Sequence, residues 1–348
     1  MKRGRASQPP VHDADIVAQP PAPAASGYRP PPWLRNAHVQ SALGSSPWRR
    51  RRGALALAAT GAETFEHLID AGDGVRLHGL HSAVPGRPAR GLALLLHGWE
   101  GSSDSSYMRL TAAQLLRRGF EVFRLNFRDH GPTHHLNPDL FHSNRLDEVV
   151  HAALDVAERF PARPLLAAGY SLGGNFALRL ALRAPAAGLP LARVAAVCPV
   201  LDPALTLAQM EQGMPLYLRY FERKWRGSLQ RKRALFPQLH DFDDATLRLG
   251  MRALTEWLVL RHTDFGSLEA YFDGYSIAGE RLAALQVAAD ILTSTDDPVI
   301  PVDGFRALRL PATARVEIAP WGGHCGFLEN ARLEGYAERW VAERLGGA

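Results

Sequence analysis

The sequence predicts an α/β fold, a mostly parallel twisted sheet with helices on both faces and a helical cap inserted between two strands. Three observations carry this. Apolar strand-like runs alternate with helical periodicity from residue 91 to residue 201. The strands read as continuous apolar segments, the pattern of a strand buried on both faces. The alternation then breaks for 202–286 and resumes at 287.

The 348 residues are 46% hydrophobic and 22% charged, enough apolar content for a large core and too much for a disordered chain. No stretch approaches the ~20 apolar residues of a membrane-spanning helix. The net charge of +5 suggests a basic protein, but it is unevenly distributed. Residues 1–53 hold nine basic groups and two acids (Asp13, Asp15), leaving the remainder slightly acidic. A nucleic-acid partner is therefore not expected. With two cysteines, Cys198 and Cys325, neither a disulfide framework nor a zinc-type spacing is implied. Met1-Lys2-Arg3-Gly4-Arg5 precedes no apolar export segment, so the chain reads as cytoplasmic.

Residues 1–27 are rich in Pro and Ala without periodicity and read as disordered. The whole of 1–53 is expected to be an N-terminal arm. Its Arg49-Arg50-Arg51-Arg52 block reads as a solvated charge run, with peripheral contact to an anionic membrane as the alternative. Two edge strands follow, at 64–70 and 75–82, joined by the turn Ala71-Gly72-Asp73-Gly74. A buried strand fits 91–97, a helix 106–118, a strand 121–125, a helix 144–160, a strand 164–169, a helix 173–183 and a strand 194–201. Past the interruption, strands fit 287–294 and 314–318, and a closing helix 329–345. The core is thus 54–201 with 287–348. Residues 202–286 cannot enter a parallel sheet without breaking it, so they should form a cap over one end. They hold eleven of the chain's 29 aromatics, which suits an apolar pocket.

Gly169-Tyr170-Ser171-Leu172-Gly173 lies between a buried strand and a helix, the setting of a G-x-S-x-G nucleophile elbow. Ser171 must sit on a sharp turn to project its hydroxyl, and side chains at 169 or 173 would meet backbone. His97-Gly98-Trp99 ends an earlier strand that the fold sets beside the elbow. The backbone N–H groups of Trp99 and Leu172 are the expected oxyanion donors, so the identity of those side chains should matter less. Asp296-Asp297-Pro298 follows the strand after the cap. Asp297 is the expected acid, four residues before Pro301, with Asp296 as the alternative. Gly322-Gly323-His324 follows the last strand and supplies a histidine on flexible backbone. The order Ser171, Asp297, His324 is that of the α/β hydrolases. It implies acyl transfer to serine, with no cofactor and no metal.

Taken with Tyr28-Arg29-Pro30-Pro31-Pro32-Trp33-Leu34-Arg35-Asn36-Ala37-His38-Val39-Gln40, the motifs resemble the YheT-like branch of the α/β hydrolases, which has EMB8-like plant members. The supporting segments are His97 to Ser102, Gly169 to Asn175, Asp296 to Pro298 and Gly322 to Phe327. The resemblance spans 28–348 and implies a serine hydrolase of carboxylic esters, short-chain or lipid-like, with a small-molecule acyl ester as its partner. Acyltransfer through the same acyl-enzyme and a non-catalytic binding role are the alternatives. Asn126-Phe127-Arg128-Asp129 departs from the branch's usual Asn-x-Arg-Gly.

His130, His134 and His135 fit no metal spacing and are expected to make local hydrogen bonds at the site's rim. Residues 219–233 hold seven basic groups against Glu222 and read as a solvated amphipathic helix, with interfacial lipid contact as the competing idea.

Overall fold

In the computed structural model, which describes residues 27–347, the chain builds one eight-stranded sheet. The disorder expected for 1–27 lies outside the described residues, apart from Gly27. In chain order the elements begin with α1 (Ala37–Gly44) and α2 (Pro47–Ala58). Then follow β1 (Glu63–Asp70), β2 (Arg76–Ala83), β3 (Leu92–Leu96), α3 (Ser106–Arg117), β4 (Glu121–Asn126), α4 (Leu146–Arg159), β5 (Leu165–Tyr170), α5 (Leu172–Ala187) and β6 (Leu191–Val197). The insertion holds α6 (Pro203–Gln212), α7 (Pro215–Leu235), α8 (Asp244–Arg248), α9 (Met251–His262) and α10 (Leu268–Tyr275). The chain ends with β7 (Ala288–Ser294), α11 (Asp303–Arg306), β8 (Ala314–Ala319) and α12 (Tyr336–Gly346).

The strand order is β1-β2-β4-β3-β5-β6-β7-β8. The β1–β2 and β2–β4 pairs are antiparallel and every other pair is parallel. Gly72, Asp73 and Gly74 all take positive φ in the β1–β2 turn. Strand alternation divides the core between two faces. Leu92, Leu94 and Leu96 of β3 pack with α4 and α5, while Ala93 and Leu95 pack with α3 and α12. Truncating such a two-face leucine to alanine costs about 2–5 kcal/mol.

The insertion leaves and re-enters the core at one place. Ile277 N–H donates to Leu201 O at 2.8 Å. Fully buried Asn175, one turn into α5, donates from Nδ2 to Val200 O at 2.9 Å and to Tyr275 O at 2.8 Å. One side chain therefore pins both ends of the cap.

Residues 28–53, expected as part of an arm, pack into the fold, and Arg49 departs from the solvated run expected of Arg49–Arg52. Tyr28, Leu34, Gln40 and Arg49 are fully buried. Arg49 Nη2 meets Glu338 Oε1 of α12 at 2.6 Å, and its other donors reach the carbonyls of Gly44 and Leu333. A guanidinium tolerates burial only with such partners, and here the carboxylate lies 289 positions away in sequence. Arg52 pairs with Glu334, while Arg50 and Arg51 stay exposed. The closing helix starts at Tyr336 rather than 329, because 322–335 form a loop closed by a Leu328–Gly335 bridge. β6 stops at Val197 because Cys198 takes φ +44°. Among the described residues, no helix is long and apolar enough to cross a membrane.

Candidate active site

Ser171 stands between β5 and α5 at φ 54°, ψ −120°. A non-glycine residue held there costs about 1–3 kcal/mol, which surrounding structure must offset. The offset is visible locally. Ser171 N–H donates to Val197 O at 2.9 Å, and the turn is packed too tightly for side chains on its glycines. A Cβ on Gly169 would lie 2.0 Å from Gly173 O, and one on Gly173 would lie 2.3 Å from Leu96 O.

The imidazole of His324 bridges the serine and an aspartate. Its Nε2 lies 2.9 Å from Ser171 Oγ, and its Nδ1 lies 2.9 Å from Asp297 Oδ2. Asp297 has no exposed side-chain surface, and its Oδ1 also accepts the N–H groups of Val299 and Ile300. Asp296, the alternative acid, turns elsewhere and accepts the Gly323 N–H at 2.9 Å. A carboxylate only accepts, so His324 carries its proton on Nδ1. In the neutral ring Nε2 is then the base facing the hydroxyl. Burial lowers the pKa of His324, but the Asp297 carboxylate, by charge and hydrogen bond, and the neighbouring Cys325 thiol together outweigh it, and the value is pushed up to about 9.

The β3–α3 turn lies against the elbow. A Cβ on Gly98 would sit 3.3 Å from Ser171 Cβ. His97 is fully buried and holds this turn. Its Nε2 accepts the Phe127 N–H, so Nδ1 carries the proton and donates to Gly98 O at 2.8 Å. Tyr107 Oη accepts the Gly98 N–H at 2.9 Å. Trp99 follows Gly98, and Leu172 is the first residue of α5, where helical N–H groups lack intrahelical acceptors.

Two cavities meet at Ser171. An apolar one of about 120 Å³ runs under the cap between Met210, Phe221, Trp225, Leu258 and Tyr271. A polar one of about 580 Å³ opens on the other side, toward Glu100, His130, Lys224 and Arg231. The Trp99 side chain lines both and stacks on Phe221 with ring centroids 5.4 Å apart. Besides the backbone N–H expected of it, Trp99 thus places its indole at the junction of the two cavities.

His130 and His134 make local hydrogen bonds, to Arg128 O and Ser228 Oγ respectively, each at 2.7 Å. Burial pushes them down to about 4 and about 3, so both are neutral. Of the atoms able to bind a metal, those of Cys198, His324 and Cys325 converge to within 4.8 Å. Both ring nitrogens of His324 are already engaged by Asp297 and Ser171, so ligation there would dismantle that chain.

Gln40, the last residue of the N-terminal signature, exchanges hydrogen bonds with the backbone of Leu328, and sequence reading missed its neighbour Ser41, whose Oγ accepts the His324 N–H at 2.8 Å. It also missed Asn175 as the anchor of the cap. The resemblance at Tyr28–Gln40 was the available signal that the N-terminal segment belongs to the fold.

A serine–histidine–aspartate chain on this sheet defines an α/β hydrolase. Residues 93–331 match the family described as alpha/beta hydrolase fold, and the chain belongs to it. Among its distant homologues is a Synechocystis sp. protein named "Putative esterase slr0264", 25% identical over 90% of this chain and 92% of its own length. "Putative esterase YheT" of Escherichia coli is 25% identical over 72% of this chain and 74% of its own. Of solved structures, the Pyrobaculum calidifontis esterase superposes with a TM-score of 0.55, at 16% identity over 92% of this chain and 97% of that one. That last likeness is one of fold.

Proposed function

We propose that the protein is a serine-dependent hydrolase of carboxylic esters. The observation that carries this reading is the hydrogen-bonded chain Ser171–His324–Asp297, standing at the foot of an apolar cavity. Ser171 Oγ attacks the ester carbonyl as His324 Nε2 takes its proton. Asp297 holds the ring's tautomer and stabilises the imidazolium that forms. The N–H groups of Trp99 and Leu172 receive the developing oxyanion. His324 then returns the proton to the leaving alcohol, and water attacks the acyl-enzyme by the same route in reverse. The names of the homologues, esterases in two cases, agree with this reading. The apolar cavity suits a short acyl chain.

Turnover of p-nitrophenyl acyl esters of increasing chain length tests the reading. Activity on the shorter members supports it. No turnover of any member points instead to a non-catalytic binding protein. Product analysis with a competing alcohol separates hydrolysis from acyl transfer, since both share the acyl-enzyme.

A further inference from the structure

The basic cluster at 219–233 lies within α7. Three of its seven cations are held by carboxylates: Arg226 by Glu222, Lys232 by Asp129 and Arg233 by Asp244. Arg223, Lys224 and Arg231 face the polar cavity instead. Tyr220, Arg223, Lys224, Gly227, Ser228 and Arg231 all line it, at the three- and four-residue spacing of one helical stripe. On the adjoining stripe Trp225 lines the apolar cavity, and Phe221 lines both at their junction. α7 is therefore the partition between two chambers of opposite character that share Ser171.

The charge of the polar chamber is not internally balanced. Arg223, Lys224, Arg231 and, from α2, Arg50 line it, and among the described residues none has a carboxylate within ion-pair distance. Lys224 Nζ donates to the Glu100 backbone carbonyl at 2.6 Å, and Arg231 hydrogen-bonds the neutral His134 ring, while both cations act on the Glu100 carboxyl only through space. Three acids also line the chamber. Asp129 is committed to Lys232 at 2.6 Å and Asp104 to Arg109 at 2.7 Å. Glu100 alone lacks a salt bridge, and burial, opposed by Lys224, pushes it up to about 7. Gly227 is a second sign of a built space. A glycine within a helix costs about 1 kcal/mol relative to alanine. A Cβ there would meet nothing within 4 Å, so the chamber is open at this position and a larger side chain placed there would enter it.

We propose that this chamber is the leaving-group subsite and that it selects esters whose alcohol carries a phosphate. The inference rests on Ser171 being the nucleophile. The acyl chain occupies the apolar chamber and the phosphoalcohol the polar one, where guanidinium forks match phosphate oxygens. The ester C–O bond breaks as the Ser171 acyl bond forms, and the phosphoalcohol leaves with the proton from His324.

The test compares kcat/KM for butyryl-glycerol phosphate and for monobutyrin, which share an acyl group and differ in the phosphate. The phosphorylated ester is expected to be favoured about tenfold or more, the size of one or two charge-assisted hydrogen bonds. Arg223→Gln with Arg231→Gln should pull that ratio toward unity, whereas Arg219→Gln, which lies outside the chamber lining, should leave it unchanged. Gly227→Leu adds a good helix former, so it should fold, and should depress the phosphorylated ester more than methyl butyrate. Long-chain lysophosphatidate in vesicles, against the long-chain monoglyceride, asks whether the same headgroup is taken from a lipid surface. A preference in either arm supports the subsite and identifies its source. Equal turnover of both members of each pair, or a ratio unmoved in the double variant, overturns it while leaving the esterase reading intact. Absence of any ester turnover would instead remove the reading on which it rests.

Discussion

Ser41 Oγ of α1 accepts the backbone N–H of His324 at 2.8 Å, across 283 positions of sequence. The same hydroxyl donates to Ala37 O at 2.8 Å. The N-terminal segment thus fixes the loop that carries the histidine. Gln40 strengthens this brace, accepting the Leu328 N–H at 2.7 Å.

Ser41→Ala removes one hydrogen bond to the His324 loop and should lower kcat about tenfold, the equivalent of ~1.4 kcal/mol. KM should move little, because Ser41 lines neither chamber. Ser41→Thr keeps the hydroxyl and should restore most of the rate. Steady-state kinetics of the two variants checks this, and equal loss in both would assign Ser41 a packing role only.

The pH profile follows from His324. Its folded pKa is raised to about 9, and the base must be unprotonated to accept the Ser171 proton. Consequently kcat/KM for a neutral ester should climb with pH and level off above about 9. Asp297→Asn removes the carboxylate that raises this value, so burial then dominates and the inflection should move to lower pH. The plateau should fall by about four orders of magnitude, as tautomer control is lost. An unmoved inflection would mean that another group controls the profile.

Arg49 and Glu338 form a fully buried pair. Arg49→Met strands the Glu338 carboxylate and should cost about 3–5 kcal/mol, whereas Arg49→Met with Glu338→Leu should recover much of that loss. Urea midpoints of the three proteins measure it. A double variant no better than the single one would contradict the pairing.

Asn175→Leu withdraws two donors from the carbonyls that flank the cap, at about 1–3 kcal/mol for each acceptor left unpaired. Cleavage within 202–286 under limited proteolysis should accelerate, with the sheet core cleaved more slowly.

Much of this arrangement was legible in sequence. Periodicity located the strands of the sheet, and the glycines at 169 and 173 announced a turn in which a side chain would meet backbone. The chain order of serine, aspartate and histidine supplied the constellation. Asp297 could not be separated from Asp296, because that choice depends on which carboxylate faces the imidazole and which faces Gly323 N–H. Arg49 looked solvated because four consecutive arginines read as a charge run, and the buried carboxylate that neutralises one of them is distant in sequence. The cluster on α7 divided for a similar reason. Spacing gives helix stripes, but only tertiary packing tells which stripe faces carboxylates and which faces a cavity.

The role of Ser171 is tested most directly by a fluorophosphonate probe, with intact mass and peptide mapping of the adduct alongside ester turnover in the Ser171→Ala variant. The account predicts one adduct on Ser171, with both labelling and turnover abolished in the variant. Labelling elsewhere, or turnover that survives the substitution, would contradict it.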